Sequence, residues 1–195
     1  MRGGKLPRSF YEQPTVEVAK QLLGKYLVRM SEEGPIVGKI VETEAYVGPE
    51  DRASHAWRGR TRRTEVMFGP PGYAYVYLIY GMYHCFNVVT EREGYPAAVL
   101  VRAVEPISVL QAGRSPNRRS LPTNGPGKVC RYFGIDRSFN GIDLCGSVIF
   151  IEDRGTHIAP EEIAHARRIG VDYAGRWKDI PWRFYLRGSL YVSAP

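Results

Sequence analysis

The first candidates for catalysis are two glutamates in a strand-like segment. In IVETEAYV, strand alternation places Glu42, Glu44 and Tyr46 on one face. Two neighbouring carboxylates could form a catalytic pair, as in sugar hydrolases. They could also be rim glutamates that pair with arginines. The segment alone favours this second interpretation, because unpaired charge is costly to bury.

Two further residues could complete a site around this face. Arg102 is the lone cation of the apolar segment VLVRAVEP, and we expect it to pair with a carboxylate or a phosphate. A nearby cation would keep such a carboxylate ionised at neutral pH, as a general base requires. His55 follows Tyr46 by nine residues and could return over the same pocket.

The segment GYAYVYLIYGMYHCFN predicts a tyrosine-rich β-hairpin. Strand alternation places Tyr73, Tyr75 and Tyr77 on one face and aliphatic side chains on the other. Gly81 permits the chain to reverse, so Tyr80 is predicted near the tip. A ring there could act as a wedge between base steps or as a platform for an exposed base. A tyrosine that folds back onto the sheet is the alternative, and spacing alone favours it.

The charge of the chain favours a polyanionic partner. The net charge is +7, and the excess is concentrated in two acid-free segments. The first contains Arg52, Arg58, Arg60, Arg62 and Arg63, and the second contains Arg114, Arg118, Arg119, Lys128 and Arg131. Solubility requires charge but does not require its segregation. Nucleic acid is therefore the favoured partner.

The composition of the chain limits the cofactors, the location and the number of domains that we expect. The three cysteines are widely spaced without a C-x-x-C pair, and the four histidines lack ligand spacing, so we expect no metal and no organic cofactor. No apolar run approaches the length of a membrane span, and the first residues lack a signal-peptide pattern, which predicts a cytoplasmic protein without membrane contact. The 195 residues, 44% of them apolar, predict one domain over residues 1–195.

The elements that must position these residues are short helices and strands that intermix along the chain. Helices are predicted over residues 14–24, 129–135 and 160–170, and loops over 48–63 and 115–128. Besides the tyrosine hairpin, strands are predicted over residues 25–30, 37–47, 97–106, 182–188 and 189–193, with a second hairpin across 142–152. The absence of regular βαβ alternation predicts an α+β fold. We expect a largely antiparallel, curved sheet with surrounding short helices and a protruding β-hairpin.

Several of these segments, taken in order, resemble the alkyladenine (3-methyladenine) DNA glycosylase family, which is distinct from the helix-hairpin-helix glycosylases. They are VETEAYVGPEDRASH, MFGPPG, YVYLIYGMYHCFNV, LVRAVEP, TNGPGK, GVDYAG and RFYLRG, and the similarity runs from about Phe10 to Ser193. The resemblance implies that the chain hydrolyses the N-glycosidic bond of damaged purines in double-stranded DNA. The family's substrates include 3-methyladenine, 7-methylguanine, hypoxanthine and ethenoadenine.

The resemblance also implies a catalytic pair. Glu44 resembles the general base that activates a water to attack C1′ of the sugar, and Arg102 resembles a partner of that water and of the adjacent phosphate. Glu42 receives no role from the resemblance. No lysine stands near Glu44 in the motif to act as an amine nucleophile, so a monofunctional enzyme without lyase activity is expected.

The implied binding residues fall into three groups. Those that resemble the base pocket are Tyr46, His55, Tyr77 and Asn87, the last as the residue that crowds the exocyclic amine of guanine. Tyr80 resembles the ring that enters the duplex through the minor groove, and Met67 resembles part of the hairpin-side contact with the neighbouring bases. The predicted contacts with the DNA backbone are Arg58, Arg60, Arg62, Arg63 and Lys128. A minor-groove wedge needs no twofold symmetry, so a monomer is expected.

Two other functions stay open and a third is excluded. A non-catalytic nucleic-acid binder could share this fold, because the family's fold is related to a domain of a tRNA formyltransferase. A carbohydrate hydrolase could use Glu42 and Glu44, although it would leave Tyr80 and the arginine segments unexplained. A zinc deaminase is excluded, because its H-x-E and P-C-x-x-C signature is missing from the sequence.

Overall fold

A curved antiparallel sheet organises the part of the chain that the computed structural model describes, residues 4–107 and 122–194. Its strands are β1 (Gly4–Lys5), β2 (Tyr26–Ser31), β3 (Gly34–Tyr46), β4 (Ala74–Ile79), β5 (Tyr83–Val89), β6 (Ala98–Ile107), β7 (Ile149–Asp153), β8 (Ile163–Ala166) and β9 (Arg183–Leu186). The order across the sheet is β1-β7-β2-β3-β6-β5-β4, and β9 joins β3 and β8 to this path. The predicted α+β fold is confirmed.

Short helices surround this sheet. The α-helices of the described ranges are α1 (Arg8–Tyr11), α2 (Thr15–Gln21) and α3 (Pro126–Phe133). The 3-10 segments are His55–Arg58, Glu65–Phe68, Arg137–Phe139, Pro160–Glu162 and Asp172–Asp179. Pro126 stands in the first turn of α3, where its missing N–H has no cost, so this helix begins three residues earlier than predicted. Among these described helices, none has the length and apolar character to cross a membrane.

The side chains of the long strand β3 point alternately to the two faces of the sheet, which have different environments. Val41 and Ala45 face the main core, and the Thr43 hydroxyl donates to the Ala19 carbonyl oxygen of α2 at 2.8 Å. The opposite face carries Glu42, Glu44 and Tyr46, as the sequence predicted. The second half of β3 pairs with β6 on one edge and with β9 on the other. Side chains on its second face can therefore meet partners from both neighbouring strands.

The β3–β6 pairing is irregular beside the glutamates. Ile40 pairs with Val104 and Thr43 pairs with Val101, but the register shifts on both sides of Glu42. Such a bulge locally increases strand twist and re-aims side chains. It lies where Glu42 meets Arg102, so the irregular backbone belongs to the same region as the buried charges.

Three element predictions were wrong. The helix predicted over residues 160–170 is limited to the 3-10 turn Pro160–Glu162, because Ile163–Ala166 pairs as a strand with β9 and this long-range pairing overrides local helix propensity. Residues 189–193 do not form a strand, and the Ser193 N–H donates to the Glu42 carboxylate instead. The hairpin across 142–152 does not form, because Asp143 caps a turn by accepting from the Cys145 N–H, and Ile149–Asp153 pairs with β2 instead.

Some predictions lie outside the described residues. Arg114, Arg118 and Arg119 of the second cationic segment belong to this part of the chain. Of the loop predicted over 115–128, the described portion starts at residue 122 and leads directly into α3.

Candidate active site

A cavity of about 530 Å³ opens on the second face of the sheet, on the side away from α2. Strands β4, β5 and β6 supply its floor and one wall, while segments 53–67 and 169–173 supply the others. The start of α3 closes one side of the mouth through Pro126 and Gly127. Strand alternation explains the lining: Tyr75, Tyr77 and Asn87 point to this face. The residues between and beside them that face the core are Ala74, Val76, Phe86 and Val88.

Glu44 lies directly behind this cavity and has no exposed surface. Its Oε1 accepts from the Ile169 backbone N–H at 2.8 Å, and its Oε2 accepts from the Tyr46 hydroxyl at 2.8 Å. The Nη1 of Arg102 lies 3.3 Å from Oε2. All three partners line the cavity. The carboxylate thus lies one layer below the cavity surface. Each of the three groups that contact it also lines the cavity.

Glu42 is equally buried but does not line the cavity. Its Oε1 accepts from Arg102 Nε at 3.3 Å, from Arg183 Nη1 at 2.9 Å and from the Ser193 hydroxyl at 2.8 Å. Its Oε2 accepts from the Ser193 backbone N–H at 2.6 Å. The expectation that these glutamates pair with arginines is confirmed, but the expectation that they lie at the rim is wrong. Paired guanidinium groups compensate their burial.

Arg102 connects the two carboxylates. Burial alone would lower the pKa of its guanidinium, but Glu44 and Glu42 offset this and hold the pKa above its ordinary value. The side chain therefore carries a fixed positive charge between the two carboxyl groups.

The aromatic walls of the cavity are electrically neutral at pH 7. Burial, followed by the adjacent Glu44, raises the pKa of Tyr46, so its phenol stays protonated and donates to that carboxylate. Burial also raises the pKa of Tyr77 and raises that of Tyr75 to about 12. Burial, followed by the charge of Arg63, lowers the pKa of His55 to about 4. The imidazole is therefore uncharged under ordinary conditions.

The structure brings the predicted pocket residues together. The His55 ring lies 4.5 Å from the Tyr77 ring in an edge-to-face arrangement, and its Nδ1 lies 3.2 Å from the Tyr75 hydroxyl. Asn87 is 3% exposed, and its Nδ2 donates to the Tyr75 carbonyl oxygen at 3.0 Å. Tyr75 was not among the predicted site residues, although its alternation with Tyr77 was the signal that could have identified it.

A buried ion pair holds the backbone that contacts Glu44. Arg168 forms two bonds with the carboxylate of Asp51, at 2.5 Å and 2.9 Å, and both side chains have no exposed surface. Arg168 also donates to the Ala45 carbonyl oxygen at 2.9 Å, and its guanidinium lies 4.9 Å from the centre of the Tyr46 ring. The next residue is Ile169, so this pair fixes the N–H that reaches Glu44. Sequence patterns did not reveal this role, because a backbone donor has no side-chain signature.

The hairpin of β4 and β5 places Tyr80 at its tip, as predicted. Tyr80 has φ +53° and Gly81 has φ +72°, and the Met82 N–H donates to the Ile79 carbonyl oxygen at 3.2 Å. A left-handed conformation costs a non-glycine residue roughly 1–2 kcal/mol. The Tyr80 side chain is 82% exposed at the edge of the cavity mouth. Strain and exposure together are typical of a residue retained for binding.

A glycine of α3 supports the second strand of the hairpin. The Tyr83 ring packs against Gly127, where an added Cβ would lie only 3.0 Å from the ring. A side chain larger than hydrogen at this position would displace the ring. The direction in which Tyr80 projects therefore depends on close contact between the hairpin and the start of α3.

The structure does not place Met67 at the hairpin. Its side chain is 2% exposed and packs with Tyr75, Ala56 and Val89 beneath the cavity. A side chain covered in this way cannot reach a base step without a rearrangement. Met67 also lines the cavity, and its contact with the neighbouring bases stays a prediction.

The predicted backbone contacts are five exposed cations. Arg58, Arg60, Arg62 and Arg63 are exposed, and none forms an ion pair with any residue of ranges 4–107 and 122–194. The Arg63 guanidinium lies 5.2 Å from the centre of the Tyr77 ring, at the cavity wall. Lys128 is exposed on α3, and its Nζ donates to Asn124 Oδ1 at 2.9 Å. Of these five cations, Arg63 lies at the cavity, and DNA binding by all five stays a prediction.

These features are typical of enzymes that act on a base rotated out of a nucleic-acid stack: an aromatic cavity, a carboxyl group behind it, a protruding ring and exposed cations. Comparison with known proteins agrees. The family model described as methylpurine-DNA glycosylase (MPG) matches residues 9–190. The chain belongs to this family of DNA-repair glycosylases.

Similar proteins occur in archaea and bacteria, and each bears the provisional name 3-methyladenine DNA glycosylase. A protein of Methanocella arvoryzae is 52% identical over 193 residues, which cover 96% of this chain and 95% of the relative. A protein of Alkaliphilus oremlandii is 48% identical, with coverage of 97% and 98%. One from Myxococcus xanthus is 51% identical, with coverage of 96% and 93%. The similarity is therefore spread over nearly the full length of both chains.

Proposed function

We propose that the protein removes alkylated and deaminated purines, such as 3-methyladenine, 7-methylguanine and hypoxanthine, from double-stranded DNA by hydrolysing the N-glycosidic bond. The observation that carries this proposal is the position of Glu44. Its carboxylate is held by Tyr46, Arg102 and the Ile169 N–H immediately behind an aromatic cavity. The cavity volume of about 530 Å³ is in the range of small-molecule sites.

The first step of the proposed reaction is extrusion of the base. A purine inside a duplex is inaccessible, and rotating it out of the stack costs a few kcal/mol. Tyr80 is exposed and projects beside the cavity mouth, so its ring can fill the space that the purine leaves. Arg58, Arg60, Arg62, Arg63 and Lys128 would bind phosphates on both sides of this mouth. A single hairpin is sufficient to fill the gap that one extruded base leaves, so the proposed active form is a monomer.

The second step is recognition inside the cavity. A purine methylated at a ring nitrogen carries positive charge, and aromatic faces such as that of Tyr77 attract cations. His55 is uncharged at pH 7 and therefore does not repel this ring. Asn87 at the floor would contact the edge of the purine and crowd, without excluding, the exocyclic amine of a guanine base.

The third step is hydrolysis. Glu44 accepts a proton from a water as the water oxygen bonds to C1′, and the electron pair of the broken C1′–N bond leaves with the purine. Since Tyr46, Arg102 and Ile169 separate Glu44 from the cavity, the water must reach the carboxylate between them. A cationic purine leaves as a neutral base without an acid catalyst. Neutral hypoxanthine is a poorer leaving group, so we expect it to react more slowly.

The product is expected to be an intact abasic strand. In the described part of the chain, no lysine lines the cavity. Water is then the nucleophile, and no Schiff base forms with the sugar. Borohydride trapping should accordingly give no covalent protein–DNA adduct, and recovery of such an adduct would contradict the monofunctional mechanism.

The test is direct. The protein is incubated with duplex oligonucleotides that contain 7-methylguanine, hypoxanthine or only undamaged bases, and free purine and alkali-labile sites are measured. We expect release from both damaged duplexes, faster from 7-methylguanine, and none from the control. Failure to release any purine from either lesion would overturn the proposal.

The complete burial of Glu44 favours one alternative, in which the same fold binds damaged DNA without reacting. A binder needs no ionised carboxylate next to a phosphate backbone, so Glu44→Gln would leave its measurable properties unchanged. A glycosylase loses base release with this substitution and keeps lesion binding. The same pair of measurements therefore separates the two functions.

A further inference from the structure

The orientation of Arg102 depends on groups that lie behind the cavity. Its Nε lies 3.3 Å from Glu42 Oε1, and its Nη2 donates to the Ser193 hydroxyl at 3.3 Å. Only Nη1 approaches Glu44, at 3.3 Å from Oε2. Two of the three nitrogens of the guanidinium are thus directed away from the catalytic carboxylate.

Glu42 is itself fixed by partners outside the cavity. Arg183 on β9 lies 2.9 Å from its Oε1, and Ser193 donates to both carboxylate oxygens through its hydroxyl and its backbone N–H. The Ser193 N–H contact is 2.6 Å long, and the carboxylate has no exposed surface. A charge-assisted network of this kind, fully satisfied, holds its members in one arrangement.

We propose that Glu42, held by Ser193 and Arg183, is a positioning residue that keeps Arg102 in single contact with Glu44. Without this restraint the planar guanidinium would form a two-bond pair with Glu44, the preferred geometry between arginine and a carboxylate. Oε2 already accepts from Tyr46 and contacts Arg102, and Oε1 accepts only from the Ile169 N–H. A two-bond pair would occupy the lone pair that remains on Oε1, so no site would be left to accept the proton of the attacking water. The proposal rests on the proposed hydrolysis and assigns a role to the second glutamate of IVETEAYV.

The proposal predicts that the effect of a substitution at Glu42 depends on the presence of Arg102. Glu42→Gln should lower the single-turnover rate on a 7-methylguanine duplex by about 10- to 100-fold, because a small misplacement of a catalytic group is costly. Affinity for the same duplex should change by less than about threefold, because Glu42 does not line the cavity. Arg102→Lys should also be slow, but a lysine cannot form the two-bond pair.

A double-mutant cycle in the rate constant provides the decisive experiment. Glu42→Gln, Arg102→Lys and the double variant are compared with the unaltered protein. If Glu42 acts through Arg102, adding Glu42→Gln to Arg102→Lys should reduce the rate by less than about twofold. If Glu42 only supports the fold, the two losses should multiply, and this result would overturn the proposal.

Two further variants separate a positioning role of Glu42 from a loss of folding. Ser193→Ala removes one of the donors to Glu42 while leaving every charge in place, so it should slow hydrolysis less than Glu42→Gln and show the same dependence on Arg102. Asp153→Asn is the matched control, because it neutralises a carboxylate paired with Lys25 at 2.7 Å, far from the cavity in β7. It should leave the rate unchanged.

The outcomes separate this inference from the proposed function. Base release by the unaltered protein, with multiplying losses in the cycle, overturns the positioning role alone. If Glu42→Gln does not fold, the cycle of Ser193→Ala with Arg102→Lys decides by the same criterion. Absence of base release from the unaltered protein overturns the proposed function first.

Discussion

Glu44 in the middle of β3 has no exposed surface, whereas Tyr80 at the tip of the β4–β5 hairpin is 82% exposed. The carboxylate is fixed by three partners, and its strand pairs on both edges. The tyrosine has a left-handed backbone and projects from the three-residue connection between Ile79 and Tyr83. One region of the sheet holds a buried carboxyl group in fixed contacts, and the other presents an exposed aromatic ring, for which we propose contact with a deformed duplex.

The difference suggests that chemistry and base extrusion are assigned to separate residues. A preorganised carboxylate does not need to reorganise during the reaction, which is the usual basis of electrostatic catalysis. A wedge must instead be free of its own domain so that it can occupy a stack. If this separation holds, a substitution in one region should leave the function of the other intact.

The largest effect is expected in the buried region. Glu44→Gln keeps the shape of the side chain but removes the base, so the single-turnover rate should fall by about 10²- to 10⁴-fold. Rapid-quench measurement of purine release from a 7-methylguanine duplex would show this. Glu17→Gln, an exposed change in α2, is the matched control and should react at the unaltered rate. An equal loss in both variants would rule out a special role for Glu44.

The next effect is expected at the hairpin tip. Tyr80→Ala removes the ring that replaces the extruded purine, and a stacking contact is worth about 1–3 kcal/mol, so the extrusion equilibrium should fall roughly 5- to 150-fold. Fluorescence of ethenoadenine in a duplex can report extrusion. Tyr80→Phe should behave almost as the unaltered protein, because the ring and not the hydroxyl fills the stack. A large loss in Tyr80→Phe would argue against a wedge.

A smaller and more uniform effect is expected from the arginines around the cavity mouth. Replacing Arg58 or Arg62 with Gln should weaken binding to damaged and undamaged duplexes alike and reduce the salt slope of the binding constant by about 0.9 for each phosphate that the variant no longer binds. Titrations at several salt concentrations would measure it. Arg187→Gln changes an exposed arginine whose Nε donates to the Glu161 carbonyl oxygen, and its salt slope should match the unaltered protein.

The smallest effect concerns stability and pH. Burial lowers the pKa of His55 to about 4, below the value near 6.5 that it has in the unfolded chain. The unfolded state therefore binds more protons between these values, and stability decreases as the pH falls from about 6.5 towards 4. The melting temperature should fall more from pH 7 to pH 5 in the unaltered protein than in His55→Gln. Equal decreases would indicate that His55 is not shielded.

Sequence patterns predicted much of this arrangement because the relevant signals are local. Alternation placed Glu42 and Glu44 on one face, Gly81 marked the turn beneath Tyr80, and the isolated charge of Arg102 indicated an ionic partner. Patterns failed where the decisive contact is long-range or uses the backbone. The N–H groups of Ile169 and Ser193 contact the glutamates without any side-chain signature, and the pairing of Ile163–Ala166 with β9 cannot be read from local propensity.

The most direct test of the division between the two regions measures extrusion and hydrolysis in one sample. An ethenoadenine duplex is mixed with each variant, and fluorescence and base release are followed together. Glu44→Gln is predicted to extrude the base as the unaltered protein does and to release almost none. Tyr80→Ala is predicted to extrude less but to hydrolyse what it extrudes at nearly the unaltered rate. If Glu44→Gln still released base at the unaltered rate, or failed to extrude it, the account would be contradicted.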